Sequence, residues 1–196
     1  MRSRQRYTAP EAQGYDDARS RIRSGDVLMY RGRSFSSRMI RFATGSPYSH
    51  AGIAAWWHDR LMVMEAVGKG VVVTPLSANV AGYHGNVEWF TAAMEIDDGA
   101  RERMLRFAQA ELGKDYGRWD AILLGIRLLF KRGVDARDRL RRARRLFCSH
   151  YVAQIYNVAG CDLQRGVSDR FMSPGDIARS PLLRRVAVLK GRGSRS

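Results

Sequence analysis

Two eight-residue apolar runs, His50 to Trp57 (HAGIAAWW) and Arg60 to Val67 (RLMVMEAV), meet at the dipeptide His58-Asp59. Their length, their β-branched and aromatic content and the short polar joint predict a β-hairpin. Further apolar runs precede and follow it. Val27 to Tyr30 comes after the turn signal Gly25-Asp26, Val71 to Thr74 after Gly68-Lys69-Gly70, and Asn86 to Thr91 reads as another strand. Between them, Ser34 to Thr44 has the pattern of a short helix presenting Phe35, Met39, Ile40 and Phe42, stopped at Gly45-Ser46-Pro47.

From Asp98 the period changes. Met104, Leu105, Ala108 and Leu112 recur at helical spacing, as do Ile122, Ile126, Leu129 and Phe130. Arg137 to Arg145 is a strongly basic stretch with helical character. Cys148 to Ala159 (CSHYVAQIYNVA) is an apolar helix with Gly160 as its C-terminal stop, and Arg185 to Leu189 can return to the sheet as a last strand. The expected architecture is α+β, an antiparallel sheet early in the chain and helices late. Residues 1–20 and 191–196 are rich in Arg, Ser, Gly and Gln and read as flexible tails around one domain over 21–190.

Composition narrows the function classes. The 196 residues are 45% hydrophobic and 10% aromatic, enough for a core and too many for a disordered chain. The formal net charge is +15, and thirty of the 34 basic residues are arginine. Such a surface attracts nucleic acid, anionic headgroups or cell-wall polymers, and it can equally be a solvated face. The longest apolar stretch, Ala121 to Phe130, carries Arg127 and has about half the length of a membrane span. Met1 to Ser20 has no apolar segment of the signal-peptide kind, which predicts a cytoplasmic or phage-particle-associated protein. Cys148 and Cys161 are too few for a disulfide scaffold. With His50 and His84 they could offer four zinc ligands, but no pair has finger-like spacing, so no metal or other cofactor is expected.

One constellation carries chemistry. Thiol catalysis needs a thiolate, a base within hydrogen-bond reach and a group that orients the base. Cys148 stands where the late apolar helix begins, directly after Arg141, Arg142, Arg144 and Arg145. A helix N-terminus and nearby cations both favour a thiolate. His50 opens the first hairpin strand, and hairpin pairing brings it opposite residues 66–67, within reach of Glu65. Each residue taken singly has a plain structural reading: a small buried hydrophobe, a strand-edge histidine, a solvated carboxylate.

Taken together, Gly25-Asp26-Val27-Leu28, Tyr48-Ser49-His50-Ala51-Gly52-Ile53, Met64-Glu65-Ala66, Leu112-Gly113-x-x-Tyr116 and Phe147-Cys148-Ser149 resemble the permuted papain-like enzymes of the NlpC superfamily, in particular the YiiX/YebB-like group. The resemblance runs from about residue 24 to 160. It implies a circularly permuted papain-like fold in which the cysteine helix follows the histidine-bearing sheet. It also implies Cys148 as nucleophile, His50 as general base, Glu65 as the residue orienting the imidazole and Tyr116 as a substrate-side tyrosine. The implied activity is a cysteine amidase or peptidase working through an acyl-enzyme on cell-wall or other peptides. The branch resembling lecithin retinol acyltransferase, which acts on lipid acyl groups, is the alternative. A basic nucleic-acid binder and a catalytically silent papain-like binding domain are further readings. Related sequences often carry an acidic residue two places after the cysteine, where this chain has His150. Position i+2 of a helix points away from Cys148, so His150 is a poor base candidate.

Overall fold

The structure, a computed structural model, describes residues 10–67, 70–114, 147–169 and 172–191. Seven strands form one sheet in the order β1-β7-β6-β2-β3-β4-β5. They are β1 (Ala12–Gly14), β2 (Val27–Gly32), β3 (His50–Trp57), β4 (Arg60–Val67), β5 (Gly70–Pro75), β6 (Gly85–Ala92) and β7 (Leu183–Lys190). Neighbouring strands run antiparallel except β1, which pairs in parallel with β7 through Ala12 and Val188. The sheet is therefore mixed rather than purely antiparallel. The exception arises in a segment expected to be a loose tail. Tyr15 and Ala18 of α1 (Tyr15–Arg19) bury their side chains against the sheet and hold the preceding strand on its edge.

Strand β3 sits near the middle of the sheet, and Ala51 to Ala55 are all buried, which is why its sequence reads as a continuous apolar run. The two faces divide with period two. Ala51, Ile53, Met64 and Ala66 face Met104 and Ala108 of α4 (Asp98–Ala110) and Val152, Ile155 and Tyr156 of α5 (Phe147–Asn157). Leu28, Tyr30, Ala54 and Val63 face the other way, toward Tyr15, Ala18 and Leu76 and Val80 of α3 (Leu76–Gly82). The helix α2 (Phe35–Thr44) is capped by Ser34, whose hydroxyl accepts from the Ser37 amide at 3.2 Å, and ends at left-handed Gly45. A short α6 (Pro174–Ala178) carries a capping box between Ser173 and Asp176.

Two phenols fix α5 in place. The Tyr151 hydroxyl donates to the Ala108 carbonyl of α4 at 3.0 Å, and that of Tyr156 to the Gly25 carbonyl at 2.9 Å. The Gly25-Asp26 turn is itself anchored. Gly25 adopts φ 91°, and the buried Asp26 carboxylate accepts from the Arg23 amide (3.0 Å), Trp89 Nε1 (2.7 Å) and Thr91 Oγ1 (2.8 Å). Helix α5 ends at Asn157, two residues before the expected boundary, and the chain turns through 158–160 with Gly160 at φ 77°. The apolar stretch 121–130 and the basic stretch 137–145 lie outside the described residues. No helix among the described residues is long and apolar enough to cross a membrane.

Candidate active site

His50 is the first residue of β3, where the ladder with β2 is irregular. The Ser49 amide donates to the Tyr30 carbonyl at 2.8 Å, although Tyr30 lies opposite His50 in the register. The paired rungs between β3 and β4 begin only at Ile53 and Met64. His50 and Glu65 meet ahead of that rung, Nε2 to Oε1 at 2.9 Å. The absence of a side chain at Gly52 makes this contact sterically feasible, because a Cβ at Gly52 would lie 2.8 Å from Glu65 Cγ. His50 is 22% exposed and Glu65 9%, so the pair sits at the lip of the core rather than deep inside it.

Cys148 belongs to the first turn of the described part of α5 and is 2% exposed. Its sulfur interacts with the His50 ring and accepts from the Ala51 backbone amide, with Ser149 Oγ 3.9 Å away. Since Nε2 of His50 is engaged by Glu65, Nδ1 is the nitrogen left for Cys148. Burial alone would depress the imidazole pKa, but the neighbouring sulfur and then Glu65 outweigh it and push it up to about 10. Burial likewise opposes ionisation of Cys148, and the His50 charge, the Ala51 amide and Ser149 overcome it, so the thiol pKa falls below its ordinary value. Both shifts favour a thiolate–imidazolium pair.

Behind this pair lies a contact chain that the sequence reading missed. Asn79 of α3 donates from Nδ2 to Glu65 Oε2 at 2.8 Å, and the hydroxyl of the fully buried Tyr30 donates to Asn79 Oδ1 at 2.9 Å. Tyr30 also packs its ring 5.2 Å from that of His50 and 4.9 Å from that of Tyr83. The signal in the sequence is modest. Pro75 precedes Leu76 and Val80, an apolar i,i+4 pair that marks a short inward-facing helix, and Asn79 shares its face.

Of the other residues singled out by sequence, Tyr116 and Arg141 to Arg145 lie outside the described residues. Cys161 is a free thiol packed in the core, with its pKa raised by burial, as expected of an unreactive cysteine. His84 is exposed before β6. Among the described residues no three His, Cys, Asp or Glu side chains gather as metal ligands would.

The chain belongs to the family described as permuted papain-like amidase enzymes, YaeF/YiiX, C92 family, which matches residues 21–120. Its fold is similar to that of a solved structure titled metalloprotein yiiX from Escherichia coli O157:H7, with TM-score 0.61 and 21% sequence identity over 85% of this chain and 97% of that one. The described residues here offer no three-ligand set for a resident metal. No curated protein matches. Membership of a papain-like amidase family makes the general class that of a cysteine hydrolase.

Proposed function

We propose that the chain is a cysteine amidase or peptidase in which Cys148 is the nucleophile, His50 the general base and Glu65 the carboxylate that orients the imidazole. The observation that carries this reading is the position of His50, bonded through Nε2 to Glu65 while its ring meets the Cys148 sulfur. In the proposed cycle the Cys148 proton resides on His50 Nδ1, and the thiolate attacks a carbonyl carbon to form a C–S bond. His50 then returns the proton to the departing amine. Water attacks the acyl-enzyme, His50 takes its proton, and the thiolate leaves as the acid is released. In this reading Cys148 lies at the N-terminus of α5, where the free amides of the first turn favour the thiolate and stabilise the developing oxyanion.

A peptide amide is the substrate class favoured by the family description, and the acyl group of a lipid ester is the second. The test of mechanism needs no substrate. Iodoacetamide at about pH 6 is expected to alkylate Cys148 at least about tenfold faster than a free thiol, because a thiol of ordinary pKa holds little thiolate there. His50→Ala should remove the advantage, and Cys148→Ala should abolish hydrolysis of any amide or ester the wild type cleaves. A Cys148 no faster than a free thiol, or hydrolysis surviving in Cys148→Ala, sinks the mechanism.

A further inference from the structure

Glu65 has two carboxylate oxygens, and the structure engages both. Oε1 meets His50 and Oε2 accepts from Asn79 Nδ2 at 2.8 Å. The amide of Asn79 cannot simply turn over. Its Oδ1 accepts the Tyr30 hydroxyl at 2.9 Å, and a flip would set the amide N–H against that donor and its oxygen against a carboxylate. Tyr30 is in turn immobilised, fully buried in β2 with rings of His50 and Tyr83 against it. A carboxylate on a flexible side chain at the lip of the core would otherwise sample rotamers in which it leaves His50.

We infer that Asn79 is a positioning residue of the reaction, clamping the second oxygen of Glu65 so that the first stays on His50 Nε2 and Nδ1 stays turned to Cys148, with Tyr30 setting the sense of the amide. The inference rests on the assignment of Cys148, His50 and Glu65 proposed above. The polar groups around the pair come from every packed element: Tyr30 from β2, Glu65 from β4, Asn79 from α3, Tyr83 after α3, and Cys148 from α5. Asn79 is the group that donates an N–H to the second oxygen of Glu65. Loss of that donor weakens the hold on the imidazolium, so the thiolate forms at higher pH.

The rate of Cys148 alkylation by iodoacetamide, followed from about pH 4 to pH 10, tests this. Asn79→Ala should slow it about tenfold near pH 6, equivalent to a shift of about one pKa unit, and leave it equal to wild type once the thiol ionises unaided. Asn79→Asp should behave differently. Two adjacent carboxyls share a proton in acid, so the new group still donates to Glu65 and the rate near pH 5 stays within about twofold of wild type. As that proton leaves, the two charges repel and the profile departs from wild type. Tyr30→Phe keeps the ring contacts, frees the amide and should cost about threefold near pH 6. An acid limb left in place by Asn79→Ala and Tyr30→Phe overturns this inference alone. So does a uniform loss at every pH that is the same in Asn79→Ala and Asn79→Asp. A wild-type profile with no acid limb, unaltered by His50→Ala, overturns the underlying assignment and this inference with it.

Discussion

The Glu65 side chain crosses directly over Gly52, so closely that a Cβ on Gly52 would come within 2.8 Å of Glu65 Cγ and 3.0 Å of Val63 Cγ2. The glycine of the segment Ser49-His50-Ala51-Gly52-Ile53 is thus the floor on which the His50–Glu65 contact is laid. No unusual backbone angle demands it; the demand is for space.

Gly52→Ala is expected to act on the site more than on the fold. The added methyl forces Glu65 aside and lengthens its contact with His50, costing about 1–3 kcal/mol of stability as an overpacked core does. Iodoacetamide alkylation of Cys148 near pH 6 should fall about tenfold while the circular dichroism spectrum is kept. A wild-type alkylation rate in a folded Gly52→Ala protein would show that the crossing is incidental.

The charge state of His50 depends on its partners in a definite order. Burial lowers its pKa, the Cys148 sulfur raises it most, and Glu65 raises it further, with about 10 as the outcome. Because the folded value lies above the ordinary 6.5, the stability this proton confers is complete below about pH 6.5 and is lost as pH rises toward 10. Removing the thiolate in Cys148→Ala should therefore lower the His50 pKa, and Glu65→Gln should lower it as well. Titration of the His50 ring by NMR reads both. An unchanged midpoint in Cys148→Ala would contradict the ion pair.

Asp26 carries the turn on which α5 is anchored through Tyr156, and three donors converge on its carboxylate. Asp26→Ala strands the buried Trp89 Nε1 and takes the acceptor from the part-buried Thr91 Oγ1 and Arg23 amide. The expected loss is about 2–4 kcal/mol, measured by urea unfolding. Burial is the first cause acting on Asp26 and raises its pKa, so its charged form is held at a cost that the three donors offset only in part. A loss below about 0.5 kcal/mol, the size of an ordinary surface change, would mean that the turn is held by its backbone alone.

Much of this architecture is legible along the chain because it is local. The hairpin 50–57/60–67, the helix opened by Ser34 and closed by Gly45, and the helical period from Asp98 follow from alternation, capping and turn residues that act over a few positions. The pairing of His50 with Glu65 is nearly local too, since hairpin register sets which residues face each other. Other features escaped for a physical reason. The edge strand Ala12–Gly14 carries only three residues, too few for a period, and exists because β7 offers a free edge beside it. Asn79 looks like any polar residue on a short helix until Tyr30, 49 positions away, turns its amide toward Glu65.

Cys148 marks the boundary most clearly. The sequence by itself determined that the chain holds a thiol in an apolar helical run, a histidine at the head of a hairpin and a carboxylate on the returning strand, in that permuted order. A thiol in such a helix is by default an inert core residue. Only the tertiary structure decided that the sulfur meets the His50 ring and the Ala51 amide, because α4, the Gly25 turn and two buried phenols lock α5 against that end of β3. Hydrogen bonds act over about 3 Å, and no spacing rule spans the 98 positions from His50 to Cys148; packing of the core does.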